Sequence, residues 1–245
     1  MPARPNFSRA FQALFGTDPQ NIKSVCLLVP FASSGLFKAF RVKNYTKGAI
    51  YSSGQSDFFT FIHTRMGSPF AGDAVLHLKD TPCRYVILFG ACGALQKHFF
   101  SEKELFLIDK AHVQDSFIGM LEKKPPFEVF FSDRSLFQGL LDLKNEFPIK
   151  TANCLTVGSL RLEKNFLNNT GGFGCDIADM ESAAVFAAAK SAHLKAASLL
   201  FATDCVTSFP LEEALSKRNL GKMIQKTQKF SLMAYEILKL FFLKR

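Results

Sequence analysis

Residues 84–95 read RYVILFGACGAL, an apolar run that breaks into a glycine-containing turn. Arg84 to Phe89 is short, rich in β-branched and aromatic residues, and bounded by Pro82 and Gly90, which predicts a buried strand rather than a helix. Ser24 to Val29 (SVCLLV) and Ala196 to Ala202 (AASLLFA) have the same character, and Leu105–Ile108 and Thr156–Val157 add shorter strands, with Val113 continuing the sheet. Two further strands are expected at Ala49–Ser52 and Phe58–His63. Between them, helical spacing predicts helices over Ala71–Leu78, Leu136–Lys144, the Ala-rich Ile177–Lys190 and the amphipathic Arg218–Leu243. A solvent loop is expected around 123–126 and an irregular loop over Leu167–Gly174. Buried strands alternating with helices give an α/β class, and in such sheets ligands collect at the carboxyl ends of strands. The loops PFASSG, RMGSP, GACGAL and TDCVTS all follow predicted strands, so they converge on one crevice.

Composition narrows the alternatives. The 245 residues are 48% hydrophobic and 21% charged, enough for one large domain without disulfide or metal support. A net charge of +9 invites a nucleic-acid reading, but the cations are scattered in short groups such as Lys123–Lys124 and lack the aromatic-interleaved stripe such binding uses. The six cysteines form no CxxC pair and have no histidine at ligand spacing, so they read as buried thiols and no metal site is expected. No apolar stretch is long enough to span a bilayer, and Pro2 and Pro5 interrupt any secretory h-region, so a cytoplasmic protein is expected.

Three segments can carry chemistry. Gly90 and Gly93 allow close backbone approach to a ligand, although a Gly-x-x-Gly after a strand also serves as a plain turn. In DMESAA, Glu181 falls in the predicted first helical turn, either as a ligand carboxylate or as a complement to the helix dipole. In ATD, Asp204 ends an apolar strand, where desolvation raises its pKa and suits it to hold a proton; turn capping is the alternative.

Taken together and in order, MGSP, FGACGAL, DMESAAV and ATD resemble the nucleoside phosphorylase family, nearest its nucleosidase branch acting on methylthioadenosine, S-adenosylhomocysteine and aminodeoxyfutalosine. The resemblance runs from about Ser24 to Arg245, leaving 1–23 as an N-terminal extension. It implies a single domain, 24–245, with a central mixed twisted sheet flanked by helices. Asp204 would protonate or hydrogen-bond purine N7, and Glu181, with backbone from Met180, would bind the ribose hydroxyls. Gly90, Ala91, Cys92 and Gly93 would line the base or ribose edge with Thr203, and Leu160 or Arg161 would cover the purine. No cofactor is implied. The partners implied are a small nucleoside and a second copy of the chain, the dimer face being the C-terminal helix and the RMGSP region, with no nucleic acid or membrane.

Two departures from the family pattern bear on mechanism. Leu88 and Phe89 stand where phosphorylases carry an arginine before the glycine loop, which favours water over phosphate unless Lys38, Arg41 or Arg65 rebuilds an anion site. Ser33 or Ser34 stands where nucleosidases carry an N-terminal glutamate for the attacking water. Hydrolysis of a 5′-modified purine nucleoside is therefore the expected activity, on aminodeoxyfutalosine or futalosine in menaquinone synthesis or on methylthioadenosine or S-adenosylhomocysteine, with phosphorolysis and non-catalytic nucleoside binding as alternatives.

Overall fold

The structure, a computed structural model, describes residues 5–124 and 128–243, with backbone alone at 5, 6 and 168–172. The last residues of the loop expected at 123–126 therefore lie outside the described residues. In chain order the first half comprises α1 (Pro5–Phe15), β1 (Val25–Val29), α2 (Ser34–Ala39), β2 (Lys43–Lys47), β3 (Ser52–Gln55), β4 (Thr60–His63), α3 (Ser68–His77) and β5 (Tyr85–Ala94). Then come β6 (Leu105–Gln114), α4 (Phe117–Leu121), β7 (Val129–Phe131), α5 (Arg134–Leu141), β8 (Ile149–Val157) and α6 (Leu160–Thr170). The chain continues through β9 (Ile177–Asp179), α7 (Ser182–Ala192), β10 (Lys195–Cys205), α8 (Leu211–Ala214) and α9 (Leu220–Leu243).

The ten strands form one mixed sheet in the order β10-β6-β8-β9-β5-β1-β4-β3-β2, with β7 added beside β6. A further pairing joins β10 to β5 in parallel, so β10, β6, β8, β9 and β5 close into a ring from which β1, β4, β3 and β2 extend. The α/β class and mixed sheet expected from the sequence are those observed.

Helices cover both faces. On one, α1, α3 and α7 pack over Cys26, Leu28, Val86 and Leu88; on the other, α2, α5 and α9 pack over Leu27, Val29, Ile87 and Phe89. Because successive strand residues point to opposite faces, apolar runs without alternation mark strands buried on both sides.

Five expectations change. The strand expected over Ala49–Ser52 is instead the turn between the antiparallel strands β2 and β3, with only Ser52 in β3. The N-terminal extension contributes core side chains: Phe11, Phe15 and Ile22 are buried, and each large apolar side chain is worth roughly 1.5–3 kcal/mol. The helix expected from Ile177 starts as β9 and becomes helical only at Ser182, because Ala178 and Ile177 pair with Gly93 and Ala94. Leu160–Thr170 is helical where a loop was expected from Leu167 onward, its apolar side packing as Phe166 and Leu167. The apolar face of α9 is used within the chain, since Phe230, Ala234, Tyr235, Leu238 and Phe241 are all buried, so that face cannot serve a dimer.

Candidate active site

The carboxyl ends of the central strands open on a cavity of about 290 Å³. Its walls are Pro30 and Phe31 after β1, Met66 after β4, Ala91–Gly93 of β5, Val157 at the end of β8, and Ala178–Glu181 around the end of β9. Leu160 and Glu163 of α6, Phe201, Thr203 and Asp204 of β10, and residues of α8 and α9 complete it.

Local structure sets each acid. The parallel register between β5 and β10 runs from Lys195–Tyr85 to Ala202–Cys92 and then shifts, pairing Asp204 with Gly93. Consecutive strand residues normally face opposite sides; the irregularity at Thr203 lets both Thr203 and Asp204 reach the cavity. The Thr203 hydroxyl lies 2.7 Å from Asp204 Oδ1 and 3.3 Å from the Cys92 carbonyl. Burial pushes Asp204 up to about 6 against the lowering effect of that hydroxyl.

Glu181 is the N-cap residue of α7 rather than a member of its first turn, and its side chain makes no capping bond. It turns instead to the RMGSP loop, where the Gly67 N–H donates to Oε1 at 2.6 Å. Gly67 has φ +110°, a conformation that suits glycine, and the neighbouring Ser68 hydroxyl donates to the Met180 carbonyl at 3.0 Å. Burial, with Asp179 as a charged neighbour, raises Glu181 to about 8. Asp179 itself accepts from the Thr156 hydroxyl and the Ser182 N–H, at 2.7 and 2.8 Å, which favours its ionised form against the desolvation that raises its pKa.

Among the residues expected from the sequence, Asp204, Glu181, Met180, Ala91, Cys92, Gly93, Leu160 and Thr203 line this cavity. Gly90, Ser34 and Arg161 do not. A Cβ at Gly90 would meet Leu200 and Pro30 at ordinary packing distances, so its backbone faces core. Ser34 opens α2 on the surface, and Ser33 caps that helix by accepting from the Leu36 N–H. Arg161 is exposed on α6. Glu163 was missed, although it lies on the packed side of α6 three residues before Phe166; a carboxylate on an otherwise apolar helix face is the signal that marks it.

Chemically the cavity is an acid cluster in an apolar wall. Asp179, Glu181, Asp204 and Glu163 are each less than a tenth exposed, among Phe31, Met66, Leu160, Phe201, Leu211, Leu215 and Met223. No lysine or arginine lines it among the described residues. Lys38 and Arg65 are exposed, and Arg41 is taken up by Asp57 and the Tyr235 ring. A larger groove of about 480 Å³ beside the start of α9 holds Lys222, Lys226 and Lys229 but contains no buried acid. No grouping of three metal-ligating side chains occurs among the described residues.

Residues 13–239 match the family description "Phosphorylase superfamily". The chain belongs to this superfamily. No curated protein matches the sequence. The methylthioadenosine/S-adenosylhomocysteine nucleosidase of Campylobacter jejuni superposes with TM-score 0.70 at 11% identity, covering 89% of this chain and 99% of that one. Futalosine hydrolase of Helicobacter pylori gives 0.69 at 14%, covering 91% and 99%. AMP nucleosidase of Bacteroides thetaiotaomicron gives 0.67 at 16%, covering 92% and 96%. At these identities the superpositions establish the superfamily fold. They agree with the resemblance carried by the loops at Met66, Gly90, Glu181 and Asp204.

Proposed function

We propose that the protein is a nucleosidase, hydrolysing the N-glycosidic bond of a purine nucleoside with a 5′ modification. The observation that carries this reading is the pairing of Glu181 and Asp204 in one apolar cavity whose described lining holds no cation. In glycosidic cleavage the bond electrons leave with the base while the sugar becomes cationic. Asp204, raised to about 6, delivers a proton to the base nitrogen as the C1′–N9 bond breaks. Glu181 accepts from the ribose hydroxyls, and the developing sugar cation favours its ionised form, as it does for Asp179. Water then adds to C1′ and releases a proton that restores the acid form of Asp204, leaving free base and sugar.

The described lining offers phosphate no lysine or arginine to hold it, Lys226 acting on Asp204 only as a charged neighbour beyond that lining, and four buried acids leave an entering anion poorly compensated. The same balance favours a neutral, apolar 5′ substituent such as a methylthio group over the benzoate-bearing extension of aminodeoxyfutalosine. We further propose that the molecule pairs through exposed apolar side chains, Met66 and Leu160 of the cavity lining together with Phe70 of α3 and Phe117, Ile118 and Leu121 of α4.

Adenine release from methylthioadenosine, S-adenosylhomocysteine and aminodeoxyfutalosine, with and without phosphate, tests the reaction. Release is expected to be phosphate-independent, fastest for methylthioadenosine, and reduced about 10²–10⁴-fold in Asp204→Asn. A non-catalytic binding role draws support from the N-terminal loop, where Ser33 caps a helix and Ser34 faces outward, so neither supplies a base. Thermal stabilisation by adenine with no release from any substrate would establish that role instead.

A further inference from the structure

Glu163 has no place in the chemistry above, yet it is 8% exposed and lines the cavity. Among the described residues no group hydrogen-bonds its carboxyl. No fully buried side-chain oxygen is left unpaired among the described residues, so the unbonded Glu163 carboxyl opens on the cavity, where a ligand can supply its hydrogen bonds. Its position relative to Asp204 is defined by Gly93: a Cβ there would stand 3.2 Å from Asp204 Oδ2 and 3.6 Å from Glu163 Oε1. A Val206 methyl would lie 3.0 Å from the same Cβ, so only glycine lets the strand sit this close to both carboxyls, which line one side of the cavity with Leu160 and Phe201.

We infer that Glu163 is a second contact to the purine base, hydrogen-bonding the heterocycle on the side of the cavity it shares with Asp204 and so helping to select which base is accepted. The inference rests on the nucleosidase reading for the presence of a purine in this cavity. Burial, with Asp204 and Asp179 as charged neighbours, pushes Glu163 up to about 8, so at neutral pH it carries its proton. A protonated carboxyl offers one O–H donor and one carbonyl acceptor side by side. That pair complements the edge of adenine, where a ring nitrogen acceptor lies next to an amino donor. An ionised Glu163 would keep the acceptor, lose the donor and repel the ring nitrogen. Asp204, with the lower pKa, is left to the proton transfer.

The test is calorimetric binding of free adenine between pH 6 and 9 to wild type, Glu163→Gln and Glu163→Leu, together with nucleoside turnover at each pH. The wild-type dissociation constant is expected to be flat to about pH 8 and then to rise toward tenfold per pH unit. Glu163→Gln keeps a donor and an acceptor in the same shape, so it should bind within a few-fold of wild type at pH 7 and lose the rise above pH 8. Glu163→Leu should bind at least tenfold more weakly at pH 7 and should discriminate less between adenine and unsubstituted purine. If the leucine variant does not fold, the pH profile of the glutamine variant decides. A glutamine variant with the wild-type rise, or a folded leucine variant that binds adenine as wild type does, overturns the role of Glu163 while leaving the nucleosidase reading intact. A wild-type protein that neither binds adenine nor cleaves any nucleoside overturns both.

Discussion

Glu181 and Glu163 stand in the same cavity, are almost equally buried, and are both raised to about 8, yet their surroundings differ. Glu181 is held by a backbone N–H from a loop 114 residues away in sequence, and the peptide before it is pinned by Ser68. Glu163 has Asp204 and Asp179 as charged neighbours and no donor at all among the described residues. The same ionisation behaviour therefore arises beside a prepared anchor in one case and beside an unfilled position in the other. An anchored group fixes a substrate that every turnover presents; an unfilled one discriminates among what arrives.

The sharpest way to break this contrast is kinetic. Glu181→Gln is expected to reduce kcat/KM by about 10²–10³-fold, since it removes a carboxylate that the cationic sugar strengthens in the transition state. Equal losses in kcat from Glu181→Gln and Glu163→Gln would erase the distinction.

Stability against pH tests what the two acids share. Each has its folded-state pKa raised above the unfolded value, so between about pH 4.5 and 8 the native state holds protons that the unfolded chain has released. Stability therefore falls as pH climbs through that window and levels off above it. Each glutamine variant should remove part of the slope, by at least about 1 kcal/mol, in chemical denaturation at pH 5 and pH 8. A smaller effect concerns the anchor alone. Ser68→Ala removes the bond to the Met180 carbonyl and should cost about 1 kcal/mol in stability, with a rise in KM. An unchanged KM would show that the RMGSP loop holds Glu181 without that bond.

The sheet's interior was legible because β1, β5 and β10 are buried on both faces and advertise themselves as unbroken apolar runs. Asp204 and Glu181 were legible because each acid interrupts such a run. The boundary at Ile177 was not, since three strand residues between β8 and β5 are too few to show a period and the alanines beyond them extend a helical pattern backward. Ser34 was placed in the site by the family position of an N-terminal glutamate, while the chain spends Ser33 on capping α2 and turns Ser34 outward. Glu163 stayed hidden because the end of its helix, with Asn168, Asn169 and Thr170, reads as a turn, and a charge on an unrecognised helix has no face to violate. The core role of Phe11, Phe15 and Ile22 was obscured by Pro2, Pro5 and Arg9, whose polarity and helix-breaking character mask the four-residue spacing of Phe11 and Phe15.

The closure of β5 onto β10 has a consequence beyond the cavity it frames. By joining those strands, the ring hides backbone donors and acceptors that an open sheet would leave along its flank. Two termini remain, β7 with three residues and β2 with a lysine at each end and mostly exposed side chains. A strand that short, and one that ends in like charges, are poor templates for another chain. The fold thus limits strand-to-strand association between molecules, so growth of the sheet stops at the boundary of one polypeptide.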